Sequence, residues 1–483
     1  LLALFTSARS IIQHGFGWLF CAGRALLTSI LDELMHFTTT RIFATAFALV
    51  IAQAPSLACD QCTVPDEISC LHESILDYFQ EGGGDEPAAY RTQGNGWSTT
   101  SGGSSPFGEE AILTWSVVRD GTTLPQGVGE PSSPSNLIAF LDGIHHGGPG
   151  PGGNDLTQRA WFPLMKSAFD RWDAVSAIRF SYEPNDDGVH LGSSAGINGI
   201  RGDHRVGGHS IDGTTSPTTV AYNYFPNNSD MVIDTDEVGR LGNPALNYVR
   251  LRNTLMHEIG HGLGLNHLGS VSNNFLMEAT LDATIDGPQF DDILGIHRLY
   301  GDRYEELGGN DTAALATNLG SLSMGQSLIL GADANDAVVA PTDVDFVSIN
   351  MIADVDYFKF TTNAAGLLNI SLTPLGPTYQ EGAQSGAQTA FNAAAQNDLS
   401  LFLYDGTGGG LLASSTTIGL GLPESIFSFS ATAATNYLVR IAGAQNVAQF
   451  YQLDIALVPE PTTALLFLVG TAILANQRRY GRG

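Results

Sequence analysis

His257-Glu258-Ile259-Gly260-His261-Gly262-Leu263-Gly264-Leu265-Asn266-His267 is the stretch that decides how this chain is read. On a helix, His257 and His261 lie one turn apart on the same face, so both imidazoles can reach one metal ion. Gly264 can take a positive φ and stop the helix. The chain then turns back and presents His267 to the same ion. Three neutral imidazoles with an open fourth position describe a catalytic zinc site rather than a structural one. Glu258 follows the first ligand and stands where a carboxylate can take a proton from zinc-activated water.

The spacing H-E-x-x-H-x-x-G-x-x-H resembles that of the metzincin metalloproteases. Asn274-Phe275-Leu276-Met277 follows His267 at a distance that suits the methionine turn of that family, with Met277 as its methionine. Phe290 to Gly301 resembles the last helix of the matrixin branch, and Ala168-Phe169-Asp170-Arg171-Trp172 its first. The resemblance implies an α+β catalytic domain, with a twisted sheet, an active-site helix and a C-terminal helix. It implies a zinc endopeptidase acting on protein or peptide substrates, with bound peptides extended beside an edge strand. Glu278 replaces the aromatic residue that many matrixins carry after the methionine, which leaves the shape of the specificity pocket open.

The same resemblance extends to calcium. Asp234 and Glu237 have the family's D-x-x-E spacing, and Ile211-Asp212-Gly213 resembles its calcium loop. Hard oxygen ligands from a loop and a strand end suit Ca²⁺; a solvated acidic loop is the other reading. The family's second, structural zinc is not expected. Val232 and Tyr222 stand where its histidines would fall, and His204 and His209 are displaced from that spacing.

Hydrophobic patterning supports the same fold. Trp161, Leu164, Met165, Ala168, Phe169 and Trp172 recur at helical spacing in a segment that opens at Thr157, and an aromatic stripe of this kind is core. Ala111 to Val118 reads as a first strand; Ile178 to Tyr182, Val189 to Leu191, Val220 to Phe225 and Asp230 to Asp234 read as others. Strands before the zinc helix, with a long helix after the first strand, fit an α+β upper subdomain.

After Tyr304 the character changes to short strands between Gly, Asn and Asp turns: around Asp354-Val355-Asp356-Tyr357-Phe358-Lys359-Phe360, Leu367 to Leu372, Leu399 to Tyr404 and Tyr437 to Ile441. This is an all-β sandwich. Its opening at Gly308-Gly309-Asn310-Asp311-Thr312 and its Asp354–Phe360 strand resemble the bacterial pre-peptidase C-terminal domain, which implies an accessory role. Asp354 and Asp356 read as calcium ligands or, more simply, as a surface turn.

The ends carry sorting signals. Met35 to Ala58 reads as a secretory leader, with Arg41, an apolar run from Ile42 to Ala52 and Ser56-Leu57-Ala58 as a cleavage site. Residues 1–34 are then upstream sequence from a misplaced start, or part of one long leader. Residues 59–88 hold Cys59, Cys62 and Cys70, too few and too close together to staple the later domains. Lipidation at Cys59 has only a poor lipobox behind it. Cys62-Thr63-Val64-Pro65-Asp66 resembles the tail of the matrixin cysteine switch, in which a thiolate caps the zinc; a local Cys pair with one spare thiol is the alternative. Residues 89–304 are assigned to the peptidase domain, 305–457 to the sandwich and 458–483 to the tail. In the tail, Val458-Pro459-Glu460-Pro461, an apolar run from Thr462 to Ala475 and Arg478-Arg479 resemble a PEP-CTERM sorting signal. That implies a membrane transpeptidase of the exosortase type as partner and transient anchoring at the surface of a Gram-negative bacterium. A plain tail anchor is the other reading.

The net charge of -28, with Lys166 and Lys359 the only lysines, opposes nucleic acid as a partner, since phosphate would be repelled. Three functions remain: a secreted zinc endopeptidase with Glu258 as general base, a non-catalytic surface or matrix adhesion protein that keeps the protease fold, and a zinc hydrolase of non-peptide bonds. The complete motif, Glu258 included, favours the first.

Overall fold

The computed structural model describes residues 90–145, 153–192, 195–214, 218–271, 274–335, 338–384 and 386–460. The leader, the cysteine segment with Cys62, and the tail beyond Glu460 lie outside these residues. Among the described residues no helix is long and apolar enough to cross a membrane.

The N-terminal part is built on a five-stranded mixed sheet. Its strands are β1 (Ala111–Val117), β2 (Ile178–Tyr182), β3 (His204–His209), β4 (Ala221–Asn223) and β5 (Met231–Asp234), in the order β2-β1-β3-β5-β4. All pairs are parallel except β4 with β5, so β4 is an antiparallel edge strand. Helices α1 (Leu137–Ile144), α2 (Phe162–Ala174), α3 (Val249–Leu263) and α4 (Phe290–Tyr300) cover it. The α2 stripe is core as expected: Trp161, Met165, Ala168, Phe169 and Trp172 are all buried. Trp115 of β1 stacks on Phe169 with centroids 4.4 Å apart.

One strand assignment needs correction, and one strand was missed. Val189–Leu191 is an irregular loop, and the central strand is instead β3, whose six residues are all buried. The sequence His-Arg-Val-Gly-Gly-His hides it, because polar ends and paired glycines read as a loop. Two of its polar side chains find partners inside: Arg205 forms a buried ion pair with Asp186 at 2.8 Å, and His204 Nδ1 bonds Ser229 Oγ at 2.6 Å. Gly207 and Gly208 are required by packing, since a Cβ on Gly207 would lie 2.9 Å from Val118 Cγ2 and one on Gly208 2.9 Å from the Ile233 carbonyl oxygen.

After α3 the short strand β6 (Leu268–Gly269) precedes α4, and the chain then enters an all-β region. One sheet runs β7 (Thr317–Leu322), β10 (Val355–Thr362), β17 (Thr435–Gly443), β14 (Leu399–Asp405), β15 (Leu411–Ser415). The facing sheet runs β8 (Ser327–Leu330), β18 (Gln449–Val458), β11 (Gly366–Pro374), β16 (Glu424–Ala431), with β9 (Ser348–Ile349) also paired to β18. Alternate residues such as Phe358, Phe360, Leu368, Ile370, Leu401, Val439 and Ile455 fill the space between the sheets. This is the period-2 pattern of a sandwich. The α+β part and the sandwich share a core: Phe290 of α4 meets Phe450 of β18 edge-on at 5.1 Å. His297 of α4 donates from Nε2 to the Val175 carbonyl (2.7 Å) and accepts from the Ser348 hydroxyl at Nδ1 (2.9 Å).

Candidate metal centre

Helix α3 is buried almost throughout, because Leu251, Leu255, Ile259 and Leu263 face the core while its other side packs under the sheet. Glycines let it lie so close. A Cβ on Gly262 would sit 1.9 Å from Ser229 Oγ, and one on Gly260 2.5 Å from Met277 Sδ. The helix ends where the sequence places its stop: Gly264 has φ 105°, and its N–H returns to the Gly260 and His261 carbonyls. Two late carbonyls, otherwise orphaned at a helix end, receive aromatic donors, Trp97 Nε1 on Gly262 (2.8 Å) and Tyr300 Oη on Leu263 (2.7 Å).

The turn after Gly264 brings His267 back to His257 and His261, and the three Nε2 atoms lie 3.0 Å from one another. Each ring is oriented from behind. Nδ1–H of His257 donates to the Leu276 carbonyl (2.6 Å), that of His261 to Leu265 (2.8 Å), and that of His267 to Gln384 Oε1 (3.0 Å). With every Nδ1 used as a donor, every Nε2 presents a lone pair. Three lone pairs facing one another at this distance repel unless a cation lies among them, and an all-imidazole set is a zinc set. Burial holds the His257 imidazole well below its usual pKa, helped by the other two rings, and lowers His261 to about 4. Neutral, metal-ready imidazoles follow. Glu258, next to His257 on α3, is buried.

Met277 lies beneath α3, as the Gly260 approach shows. Its turn is held by Asp292 of α4, whose carboxylate accepts from the N–H groups of Leu276 (2.8 Å), Met277 (3.0 Å) and Gln289 (2.8 Å). Sequence reading passed over Asp292, although Gln289 and Asp292 have the N-cap and N3 spacing of a capping box, which the structure confirms. Glu278 is buried beside the turn, its pKa pushed up to about 8 by desolvation and by Asp292 and Asp282.

His204 and His209 stand at opposite ends of β3; His204 accepts from or donates to Ser229 Oγ at 2.6 Å, and His209 lies between Ser133 and Glu130. Asp212 and Glu237 share the Thr218 hydroxyl (2.7 and 3.0 Å), and Glu237 also accepts from Arg240 Nε at 2.9 Å. Asp234 caps the N–H groups of Ile211 and Asp236, and among the described residues no hydrogen-bond donor reaches its buried Oδ2.

Among the described residues, two groups of three bring potential ligand atoms within 4.8 Å of one another: the histidine triad, and Asp302, Glu305 and Asp356. The second group corrects the surface-turn reading of Asp354 and Asp356, which are buried where the sandwich meets the end of α4. Asp302 accepts from the N–H groups of Tyr304 and Ser348 (2.7 Å each), Asp354 from Asn350 N–H (2.6 Å), and Asp356 from Tyr451 Oη (2.6 Å). Among the described residues no donor from outside the cluster reaches the Glu305 carboxyl. Burial, then mutual repulsion, pushes the Glu305 and Asp356 pKa values well above the carboxylate range, and burial raises Asp302 to about 6.

Residues 152–301 match the sequence profile of the matrixin family. No curated protein matches the chain. Among solved structures, the pre-peptidase C-terminal domain of a collagenase from Bacillus anthracis overlaps at 11% identity and TM-score 0.17, covering 29% of this chain and 95% of that one. The insecticidal delta-endotoxin Cry8Ea1 from Bacillus thuringiensis overlaps at 11% identity and TM-score 0.15, covering 24% of this chain and 20% of that one. The sandwich is established by its own strand pairing, not by these overlaps. With the profile match and the converging triad together, the α+β part is a matrixin zinc metalloendopeptidase domain.

Proposed function

We propose that this matrixin domain works as a secreted or surface-sorted endopeptidase with Glu258 as its general base. The observation that carries the reading is the triad of Nε2 atoms 3.0 Å apart, each on a ring whose Nδ1–H is already donated. Zinc, when bound there, supplies Lewis acidity that acidifies water and polarises the scissile carbonyl. Glu258 takes the proton of the attacking water and delivers it to the leaving amine. Met277 supports the triad from below without touching the reacting atoms. The antiparallel edge strand β4 offers free backbone groups on one side, where an extended peptide can add as a further strand. Secretion and surface sorting rest on the Met35–Ala58 leader and the 458–483 tail, with an exosortase-type transpeptidase as the tail's partner.

One preparation tests this. The mature protein isolated from its host is expected to contain zinc and to cut casein. Chelation abolishes cutting and added zinc restores it. The same sample's terminal masses report cleavage after Ala58 and near Pro459-Glu460-Pro461. A zinc-free protein that leaves casein intact would end the hydrolase reading.

Calcium belongs to the same reading. The matrixin-like set Asp212, Asp234 and Glu237 is supported by the unbonded Asp234 Oδ2, although Arg240 already neutralises Glu237. The cluster of Asp302, Glu305, Asp354 and Asp356 has the stronger claim, because among the described residues no basic side chain lies within bonding distance of its carboxylates. In the absence of a cation its raised pKa values favour neutral carboxyls. The associated stability is then fully present below the unfolded pKa of about 4 and is lost as pH rises through the folded values, about 6 for Asp302 and higher for the others. Calcium binds the ionised forms and reverses that loss. Millimolar calcium should therefore raise the melting temperature by about 5 °C at pH 8 and hardly at all at pH 4.5. The shift should vanish in Asp356→Asn if the junction holds the ion, or in Asp234→Asn if the loop does. No shift at pH 8 would exclude calcium from both.

A further inference from the structure

One of the three histidine rings is held from a distant part of the chain. His257 and His261 donate to main-chain carbonyls of their own domain, Leu276 and Leu265, but His267 donates to Gln384, a side chain of the sandwich region. Gln384 directly follows strand β12 (Thr378–Ala383), which forms a hairpin with β13 (Thr389–Asn392) between β11 and β14. That hairpin joins neither sheet of the sandwich. Its β12 strand pairs with β6, the two residues after His267, with Leu268 opposite Ala383 and Gly269 opposite Gly382. Leu268 also bridges to Glu278 on its other side, so the residue after the third histidine is clamped along both edges. The fit is close: a Cβ on Gly269 would lie 3.0 Å from the Ala383 carbonyl oxygen. The hairpin is also anchored at its base. Tyr379 bonds Asp291 of α4 through its hydroxyl, and its ring packs on Phe275 (5.0 Å) and Phe391 (5.3 Å).

We propose that the sandwich is a working part of the catalytic centre, its β12–β13 hairpin supplying Gln384 as the positioning residue for His267. This goes beyond an accessory role and rests on the zinc-peptidase reading. The physical reason is the tautomer. Gln384 Oε1 can only accept, so it holds the proton on Nδ1 and leaves the Nε2 lone pair facing the other two rings. Without that acceptor the ring can rotate or hold its proton on Nε2, and the ligand set drops from three to two. A hydrogen bond of this kind behind a metal-ligating histidine is worth 10- to 100-fold in metal affinity or activity.

The test compares the full-length protein with Gln384→Ala and Gln384→Glu. Zinc affinity is measured by competition with a chromogenic chelator, kcat and KM on a quenched peptide, and folding by thermal melting. Gln384→Ala is expected to lose about 10- to 100-fold in zinc affinity and a comparable factor in kcat at saturating zinc, with KM and melting temperature close to wild type. Gln384→Glu keeps an acceptor at the same reach and should recover most of both. Tyr379→Phe, which removes the hydroxyl bond to Asp291 and alters no contact to the three histidines, should give a smaller loss in the same direction. A Gln384→Ala protein with wild-type zinc affinity and kcat overturns the inference, as does a loss that Gln384→Glu fails to restore. If the wild-type protein itself binds no zinc, the peptidase reading falls first and this one with it.

Discussion

Replacing Glu258 with alanine should lower kcat on a peptide substrate by about 10³- to 10⁴-fold while zinc content stays at the wild-type level. The two halves of that result have separate causes. Zinc would be held by the Nε2 atoms of His257, His261 and His267, whose rings are oriented by Leu276, Leu265 and Gln384 rather than by Glu258. The side chain removed is the buried carboxylate on α3 next to the first ligand. On the proposed mechanism, the attacking water then loses its base and the leaving amine its acid. Glu258→Gln separates charge from bulk. It keeps the volume and an acceptor oxygen but cannot take a proton, so it should be nearly as inactive as the alanine form with KM little changed. Casein digestion and single-substrate kinetics on the three proteins, each with its zinc measured, make the comparison. Equal background-level turnover in all three, with zinc bound, would favour a binding protein built on a protease fold. Wild-type-like turnover in the alanine form would move the base elsewhere.

The site's local half was legible in the sequence, and its long-range half was not. His257 to His267 are eleven consecutive residues, and helix geometry with one glycine stop is enough to make them converge. Ala111–Val117 and Ile178–Tyr182 were legible because β-branched and aromatic residues fill them. Strand β3 was not. Its hydrogen bonds to β1 and β5 bury a sequence whose histidines, arginine and glycines resemble a loop, and only the tertiary context supplies Asp186, Ser133 and Ser229 as partners. Asp354 and Asp356 were legible as a strand start but not as buried groups, because Asp302 and Glu305 come from the stretch just after α4, about fifty residues earlier. Gln384 carried no signal at all. Its segment is rich in Gln, Ala and Gly, and its role depends on pairing with Leu268–Gly269, more than a hundred residues earlier.

Asp292→Ala should cost about 3–5 kcal/mol of stability, the largest such effect near the site. Three buried N–H groups, those of Leu276, Met277 and Gln289, point at this one carboxylate. Alanine leaves all three without an acceptor, at about 1–3 kcal/mol each. Part of that loss is offset. Burial, with Asp291 beside it, raises the Asp292 pKa to about 7 against the pull of the three N–H groups, so the carboxylate is itself expensive to keep charged in place. The unsatisfied donors still outweigh that relief, because they belong to main chain that no rotamer change can bring to water. The damage should also reach the metal. The Leu276 carbonyl that orients His257 belongs to the same turn whose N–H groups Asp292 holds, and Met277 Sδ lies where Gly260 leaves room for it. Zinc affinity should therefore fall together with the urea midpoint, whereas Glu258→Ala changes neither. Asp292→Asn, with one acceptor oxygen for three donors, should lie between wild type and alanine on both measures. An alanine form that unfolds at the wild-type urea concentration would show that the methionine turn is held by packing alone. If stability fell but zinc affinity did not, the turn would be separable from the orientation of His257.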